Sequence, residues 1–266
     1  MIRVGIGPVL LLCAAACASP VPPQPLPPDD PQPVLLLQEW FGRASQRTGL
    51  RGLARLAVDR QEGDVHLRGK QLILLERPAK MRVEVLGFLN QSLAVLVTDG
   101  EQYEVYRAEN QAYESGEVGA NWLWNEAGIA LSPEEAVAVL LGAPVGETSL
   151  VPARADRDHH GRTRIELVDA GGVARQRVTF DAAGRLYGIE LFDGAEDALW
   201  SAQFREYRDV EGSPFAHAIQ LDVAAGLTHA EISFRDIELN PDLPSELFEL
   251  RPPEPAGASA SKGEGE

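Results

Sequence analysis

Residues Leu72–Thr98 read LILLERPAKMRVEVLGFLNQSLAVLVT. Met81, Val83 and Val85 alternate with Arg82, Glu84 and Leu86, and Leu93, Val95 and Val97 alternate with Ala94, Leu96 and Thr98. A period of two predicts strands. Both faces of the second run are mostly apolar, so one face needs a core and the other a cover or a ligand. Between the runs lies Gly87-Phe88-Leu89-Asn90, a short hairpin loop with two large apolar residues. Turn chemistry favours Gly, Asn and Asp at such tips. A Phe-Leu pair there either folds back onto its own sheet or serves as a wedge for a membrane or a lipidated partner.

Working outward, runs of the same kind recur on both sides. Leu50–Arg60, Val65–Arg77, Tyr103–Tyr106 and Ala112–Ser115 flank the central hairpin, with Gln61–Asp64, Pro78-Ala79, Asp99-Gly100 and Asn110-Gln111 as turns. Thr163–Asp169, Arg175–Asp181, Leu186–Phe192, Leu199–Arg208, Ala216–Val223 and Thr228–Leu239 follow later. About eleven antiparallel strands at short spacing, with no internal repeat, predict one mainly-β domain with inserted helices, shaped as a curved sheet or open barrel. Val34–Thr48 carries Leu37, Trp40, Phe41 and Ala44 at helical spacing, and Gly49 is expected to stop that helix. Asn121–Ala130, with Trp122 and Trp124, predicts a short helix or lid. Ser132-Pro133-Glu134-Glu135 is a capping box opening a second helix through Val139 and Leu140, ended by Gly142. Val145–Arg162 reads as loop.

The start of the chain is of another kind. Met1-Ile2-Arg3, the apolar run Val4–Ala16 and the small residues before Cys17 make a secretory signal, too short to span a membrane comfortably. Small residues followed by Cys resemble a bacterial lipoprotein signal, which implies cleavage before Cys17 and acylation of that residue. An ordinary secretory signal with an incidental cysteine is the alternative. Ala18 and Ser19 follow in place of the Asp that retains many lipoproteins in the inner membrane, so the resemblance points to the outer membrane, facing the periplasm. Residues 17–33 then form an acylated cysteine and a proline-rich linker, Pro20–Pro33, which favours extended polyproline II and would reach roughly 40 Å at ~3.1 Å per residue. A ligand for a proline-binding domain is its rival reading. The boundaries are 1–16 signal, 17–33 linker, 34–253 folded domain and 254–266 disordered acidic tail.

The chemistry of the 266 residues is mostly exclusion. Forty acidic against 24 basic residues give a net charge of −16, which argues against nucleic acid and for solubility. The two cysteines, Cys13 and Cys17, precede the domain, so a disulfide, a thiolate metal site and cysteine catalysis are excluded there. His159-His160 with Asp156 and Asp158 allows weak metal binding, but a solvated loop is the plainer reading. His66, His217 and His229 are isolated, and a hydrolase would need a Ser or Asp within reach of one of them. No Gly-x-Ser-x-Gly elbow, Walker loop or Gly-x-Gly-x-x-Gly is present. The chain therefore reads as a non-enzyme without cofactor or metal. A curved sheet with Trp122 and Trp124 laid across it can enclose an apolar cavity that binds acyl chains at roughly 0.8 kcal/mol per buried methylene; a filled core is the alternative. Trp122, Trp124, Val139 and Leu140 are the cavity or lid candidates, and Val83 carries no assignment.

Four stretches in order resemble the outer-membrane lipoprotein receptor LolB and the related LolA-like fold. They are Arg82–Leu93, with its strand–loop–strand; Leu140-Leu141-Gly142-Ala143-Pro144, like a helix ending in Leu-Gly-x-Pro; Trp200 through Phe204 to Tyr207 and Pro214; and Ile219-Gln220-Leu221 with Ile232-Ser233-Phe234. The resemblance implies an open antiparallel β-barrel closed by helices and holding the acyl chains of lipoproteins. In LolB an apolar loop residue matters for delivery into the membrane, and Leu89 matches its position; Phe88 stands for the family Pro and Asn90 for the family Gly. The implied partners are a lipidated protein or lipid, a periplasmic carrier protein, and the membrane through Cys17. The alternative is a structural or assembly lipoprotein that presents this fold to a protein of the cell envelope without lipid cargo.

Overall fold

The computed structural model describes residues 22–60, 65–119, 122–146, 149–194, 198–223 and 227–250, with backbone alone at 65–67. The signal segment, Cys17 and the acidic tail lie outside the described residues. The strands are β1 (Gln24–Pro25), β2 (Gly49–Arg60), β3 (Val65–Glu76), β4 (Lys80–Leu86), β5 (Ser92–Thr98), β6 (Gln102–Arg107) and β7 (Ala112–Glu117), then β8 (Val151–Arg157), β9 (Thr163–Val168), β10 (Ala174–Phe180), β11 (Leu186–Phe192), β12 (Ala198–Val210), β13 (Ser213–Val223) and β14 (Thr228–Leu239). The helices are α1 (Gln32–Ser45), α2 (Trp122–Ala127) and α3 (Pro133–Leu141).

Each hairpin pairs locally, so two meanders form, β2–β7 and β8–β14. The long pairing of β14 with β2, from Thr228 opposite Arg60 to Leu239 opposite Leu50, joins them into one antiparallel sheet. The order is β1-β8-β9-β10-β11-β12-β13-β14-β2-β3-β4-β5-β6-β7, open between β1 and β7. The sheet is curved about its main apolar core. Leu50, Ala54, Ile73, Leu75, Met81, Ile165, Val178, Phe180, Ile189 and Phe204 point inward to meet Trp40 of α1 and all three helices.

α3 shows why that core holds. Ser132 Oγ accepts from the Glu135 N–H at 3.2 Å and Glu135 Oε2 accepts from the Ser132 N–H at 2.8 Å, while Gly142 ends the helix at φ 61°. Between these caps PEEAVAVLL is apolar on nearly every side, the pattern of a helix surrounded by protein. Val137 and Leu141 are 0% exposed.

The outer face of the central strands finds its cover within the chain. Leu243, Leu247 and Phe248 lie over Leu72 and Leu74. Arg82 Nη1 donates to the Leu247 carbonyl at 2.9 Å, and the Leu250 N–H donates to Glu104 Oε2 at 2.6 Å. Val97, in the same cross-strand row as Leu74 and Arg82, is 1% exposed. The second apolar face of the opening stretch is thus satisfied by residues 240–250.

Several expectations need correction. The described sheet has 14 strands rather than about eleven. Part of the expected loop after Val145 is β8, whose fully paired neighbour β9 supplies the hydrogen bonds that VPARADR does not advertise by alternation. The folded domain does not begin at Val34. Gln24 and Pro25 pair with Arg157 and Asp156, and α1 starts at Gln32, so only part of the proline-rich stretch can act as a free spacer. α1 stops at Ser45, and Gly49 opens β2 instead of ending the helix; a Cβ at Gly49 would sit 2.7 Å from the Leu75 carbonyl oxygen, so the close strand approach requires glycine.

Candidate functional site

The β4–β5 loop is polar inward and apolar outward. The Gly87 N–H donates to the Gln91 carbonyl at 2.8 Å, the Asn90 N–H to the Gly87 carbonyl at 3.1 Å, and the Leu89 N–H to Gln91 Oε1 at 2.9 Å. Asn90 adopts φ 61°, a conformation Asn tolerates better than most residues. Lys70 Nζ on the neighbouring strand donates to Asn90 Oδ1. With the backbone tied down this way, Phe88 is 96% and Leu89 80% exposed. The loop does not fold back onto its sheet. Beside it runs an open groove of about 690 Å³ lined by Arg55, Arg68, Lys70, Leu86, Phe88 and Glu231.

α2 lies along β6, with Trp122 against Tyr103 and Glu126 against Arg107. Trp122 is buried and stacks on Tyr103 with ring centroids 5.2 Å apart. Trp124 is half-buried beneath the Arg60 guanidinium, 5.1 Å from its ring. Arg107 Nη2 pairs with Glu126 Oε2 at 2.6 Å. Burial pushes the Glu126 carboxyl above its ordinary pKa, Arg107 pulls it down, and the nearby Glu114 pushes it up again. Among the described residues, the buried polar atoms Trp122 Nε1, Gln71 Oε1, Thr228 Oγ1 and Arg47 Nε have no protein partner.

Val139 and Leu140 are buried on α3, apart from the tip. Sequence reasoning missed what fastens this helix. Arg47 Nη1 donates to the Leu141 carbonyl and Nη2 to the Pro214 carbonyl, both at 2.9 Å, with the guanidinium 5.0 Å from the Phe215 ring centre. Trp40 Nε1 donates to the Gly142 carbonyl at 2.8 Å. Arg47 therefore satisfies the Leu141 carbonyl at the α3 terminus and, with Trp40, ties α1, α3 and β13 together. Its burial lowers its pKa. Nothing local in QRTG signals this role. Between α1 and α3 opens a groove of about 750 Å³, with Phe41, Ala44, Ala138, Val145, Leu150 and Leu167 among its walls and the buried Gln176 at its floor.

The histidines are placed individually. The rings of His159 and His160 lie 3.8 Å apart, but Asp158 pairs with Arg162 at 2.7 Å and Asp156 with Arg164 at 2.9 Å. Among the described residues no group of three or more His, Cys, Asp or Glu is disposed to hold a metal. His217 Nδ1 lies 3.1 Å from the Phe215 carbonyl. His229 Nδ1 meets Asp222 Oδ1 at 2.8 Å. Ser201 stands opposite Asp222, on its far side from His229, so the order needed for a serine nucleophile is not formed there. The side chain of His66 lies outside the described residues.

No family model matches the chain, and no curated protein matches its sequence. Solved structures do share its architecture. A LolA superfamily protein of Nitrosomonas europaea superposes with a TM-score of 0.54 at 11% identity, covering 80% of this chain and 97% of that one. A domain of Vibrio parahaemolyticus described as an outer membrane lipoprotein-sorting protein gives 0.52 at 10% identity, covering 80% and 95%. The class is therefore an open antiparallel barrel with inserted helices. Its particular form is a LolA/LolB-like fold, as the four sequence stretches imply.

Proposed function

We propose that the chain is an outer-membrane lipoprotein, anchored through Cys17, that binds acyl chains of lipoproteins or another lipid and takes part in their delivery to the membrane. It is read as a binding protein rather than an enzyme. The observation that carries this is the hydrogen-bonded β4–β5 tip, which leaves Phe88 and Leu89 in water on a fold shared with a lipoprotein-sorting domain. Two large side chains held out by a hydrogen-bonded turn are costly to leave wet and gain by entering an apolar phase. The groove between α1 and α3, about 750 Å³ and walled by apolar side chains together with Arg77, Glu134 and Glu135, is of a size that ordinarily holds a ligand. An acyl chain burying about ten methylenes there gains roughly 8 kcal/mol before ordering costs. A periplasmic carrier protein is the proposed source of cargo.

The test is titration with a diacylated peptide against the same peptide without acyl chains. The reading expects binding of the acylated form alone, weakened by Ala138→Trp, which fills the groove. Equal binding of both forms favours the second reading, a lipoprotein presenting this fold to an envelope protein. The fully buried Val137 and Leu141, which place α3 inside the barrel, are the observation on that side.

A further inference from the structure

The Phe88–Leu89 tip and the point where the chain leaves toward Cys17 lie at opposite ends of the barrel. All strands are antiparallel, so hairpin ends alternate. The β4–β5 turn falls at the end where β8 begins, at Val151, and the Ala174 end of β10 lies there too. β1 joins β8 at its other end, with Gln24 opposite Arg157 and Pro25 opposite Asp156. Because that pairing is antiparallel, Pro22 and Pro23, the described residues before Gln24, head away from the tip.

The register gives the scale. From Leu86 the cross-strand row runs through Lys70, Arg55, Ser233 and Ala218 to Arg205 and onward to the β1 side of the sheet. Ten strand steps separate β4 from β1. At about 4.8 Å per step and a tilt of about 40°, a row climbs roughly 30 Å along the barrel axis. Seven residues separate Cys17 from Gln24; fully extended they reach at most about 25 Å. Fifteen separate Cys17 from Gln32, where α1 begins, and these reach about 50 Å. Whether β1 is paired therefore decides whether the tip and an acylated Cys17 can meet the same bilayer.

The pairing itself is slight. Besides the two-residue strand, the Leu26 N–H donates to the Ala155 carbonyl at 2.9 Å, and the Arg157 guanidinium donates to Gln32 Oε1. Gln24, Pro25 and Gln32 are exposed and Arg157 is only half-buried, so such bonds exchange readily with water.

We propose that the β1–β8 pairing is a clasp that sets what the Phe88–Leu89 surface meets. While it holds, the tip faces an acyl-bearing partner arriving from the side away from the anchoring bilayer. When it opens, the same tip reaches the anchoring bilayer. This rests on reading Cys17 as the anchor and the tip as a wedge.

The test uses the mature chain, starting at Cys17, coupled by that thiol to a maleimide-headgroup lipid in vesicles, which removes any dependence on natural acylation. A fluorophore encoded at position 89 donates to an acceptor lipid in the same vesicles. The wild-type clasp is expected to give energy transfer at least twofold below that of a variant with about 16 Gly/Ser residues inserted between Ser19 and Pro20. Gln24→Pro with Leu26→Pro, which removes backbone donors of the clasp without adding length, is expected to raise transfer toward the lengthened level. High transfer in the wild type, or a proline variant that stays at the wild-type level, overturns the clasp. Uncoupled protein mixed with the same vesicles tests the wedge separately: no transfer there refutes the wedge, whereas transfer there with equal signals from the coupled wild type and the proline variant refutes the clasp alone.

Discussion

Leu89→Glu separates a wedge from a structural loop. Leu89 is 80% exposed and its side chain is held away from the sheet by the turn. A change at so open a position should alter stability by no more than about 0.5 kcal/mol. The membrane term is larger. Full burial of a leucine is worth about 1.5–3 kcal/mol, and a carboxylate at the same depth reverses the sign. Taking about 2 kcal/mol for a tip that enters an apolar phase only partly, vesicle affinity falls roughly 30-fold. Phe88→Glu should act in the same sense, and the double variant more strongly than either. Vesicle flotation of the unlipidated protein, paired with a melting curve, measures both terms. Delivery of cargo to liposomes should fall with flotation, while cargo binding stays nearly unchanged. A variant that melts like the wild type and floats like it refutes the wedge. One that melts many degrees lower shows that Leu89 is structural.

Further outcomes follow from other parts of the molecule. Cys17→Ala should leave the fold intact and release the protein from the membrane fraction; retention after a salt wash contradicts the anchor. Leu141→Ala removes a fully buried side chain beneath α1 and should cost about 2–5 kcal/mol in chemical denaturation. Arg47→Met keeps the stem but strips the donors to Leu141 and Pro214, and should loosen the α3 terminus, seen as faster amide exchange from Leu140 to Ala143 while the sheet stays protected. The raised pKa of Glu126 means that its contribution is fully present below its unfolded pKa and is lost as pH rises through the folded value. Amide protection of α2 should therefore fall as pH rises through the carboxylate range, and Glu126→Gln should abolish that dependence.

What the sequence made legible was local. Hairpin dipeptides such as Asp99-Gly100, the alternation around Met81 and Leu93, and the Ser132–Glu135 capping box each follow from interactions within a few residues. What stayed hidden depends on distant partners. β8 alternates poorly and is held by β9. β1 is a strand only because β8 has a free edge at Arg157. Arg47 acquires its role from carbonyls 94 and 167 residues away. The doubly apolar character of Leu72–Thr98 announced that a cover was needed, but not that residues 240–250 supply it. At the tip the sequence left the loop's direction open, because the Gln91 and Asn90 contacts that turn Phe88 and Leu89 outward are matters of geometry.

The central claim is that this barrel carries acyl chains. Native mass spectrometry of the full-length protein, purified from membranes in mild detergent, tests it most directly. The account predicts adducts whose masses match a lipid or an acylated peptide beyond the anchor on Cys17, lost in the groove-filling Ala138→Trp variant. A single species at the mass of the anchored chain alone, unchanged when acylated peptide is added, would contradict it.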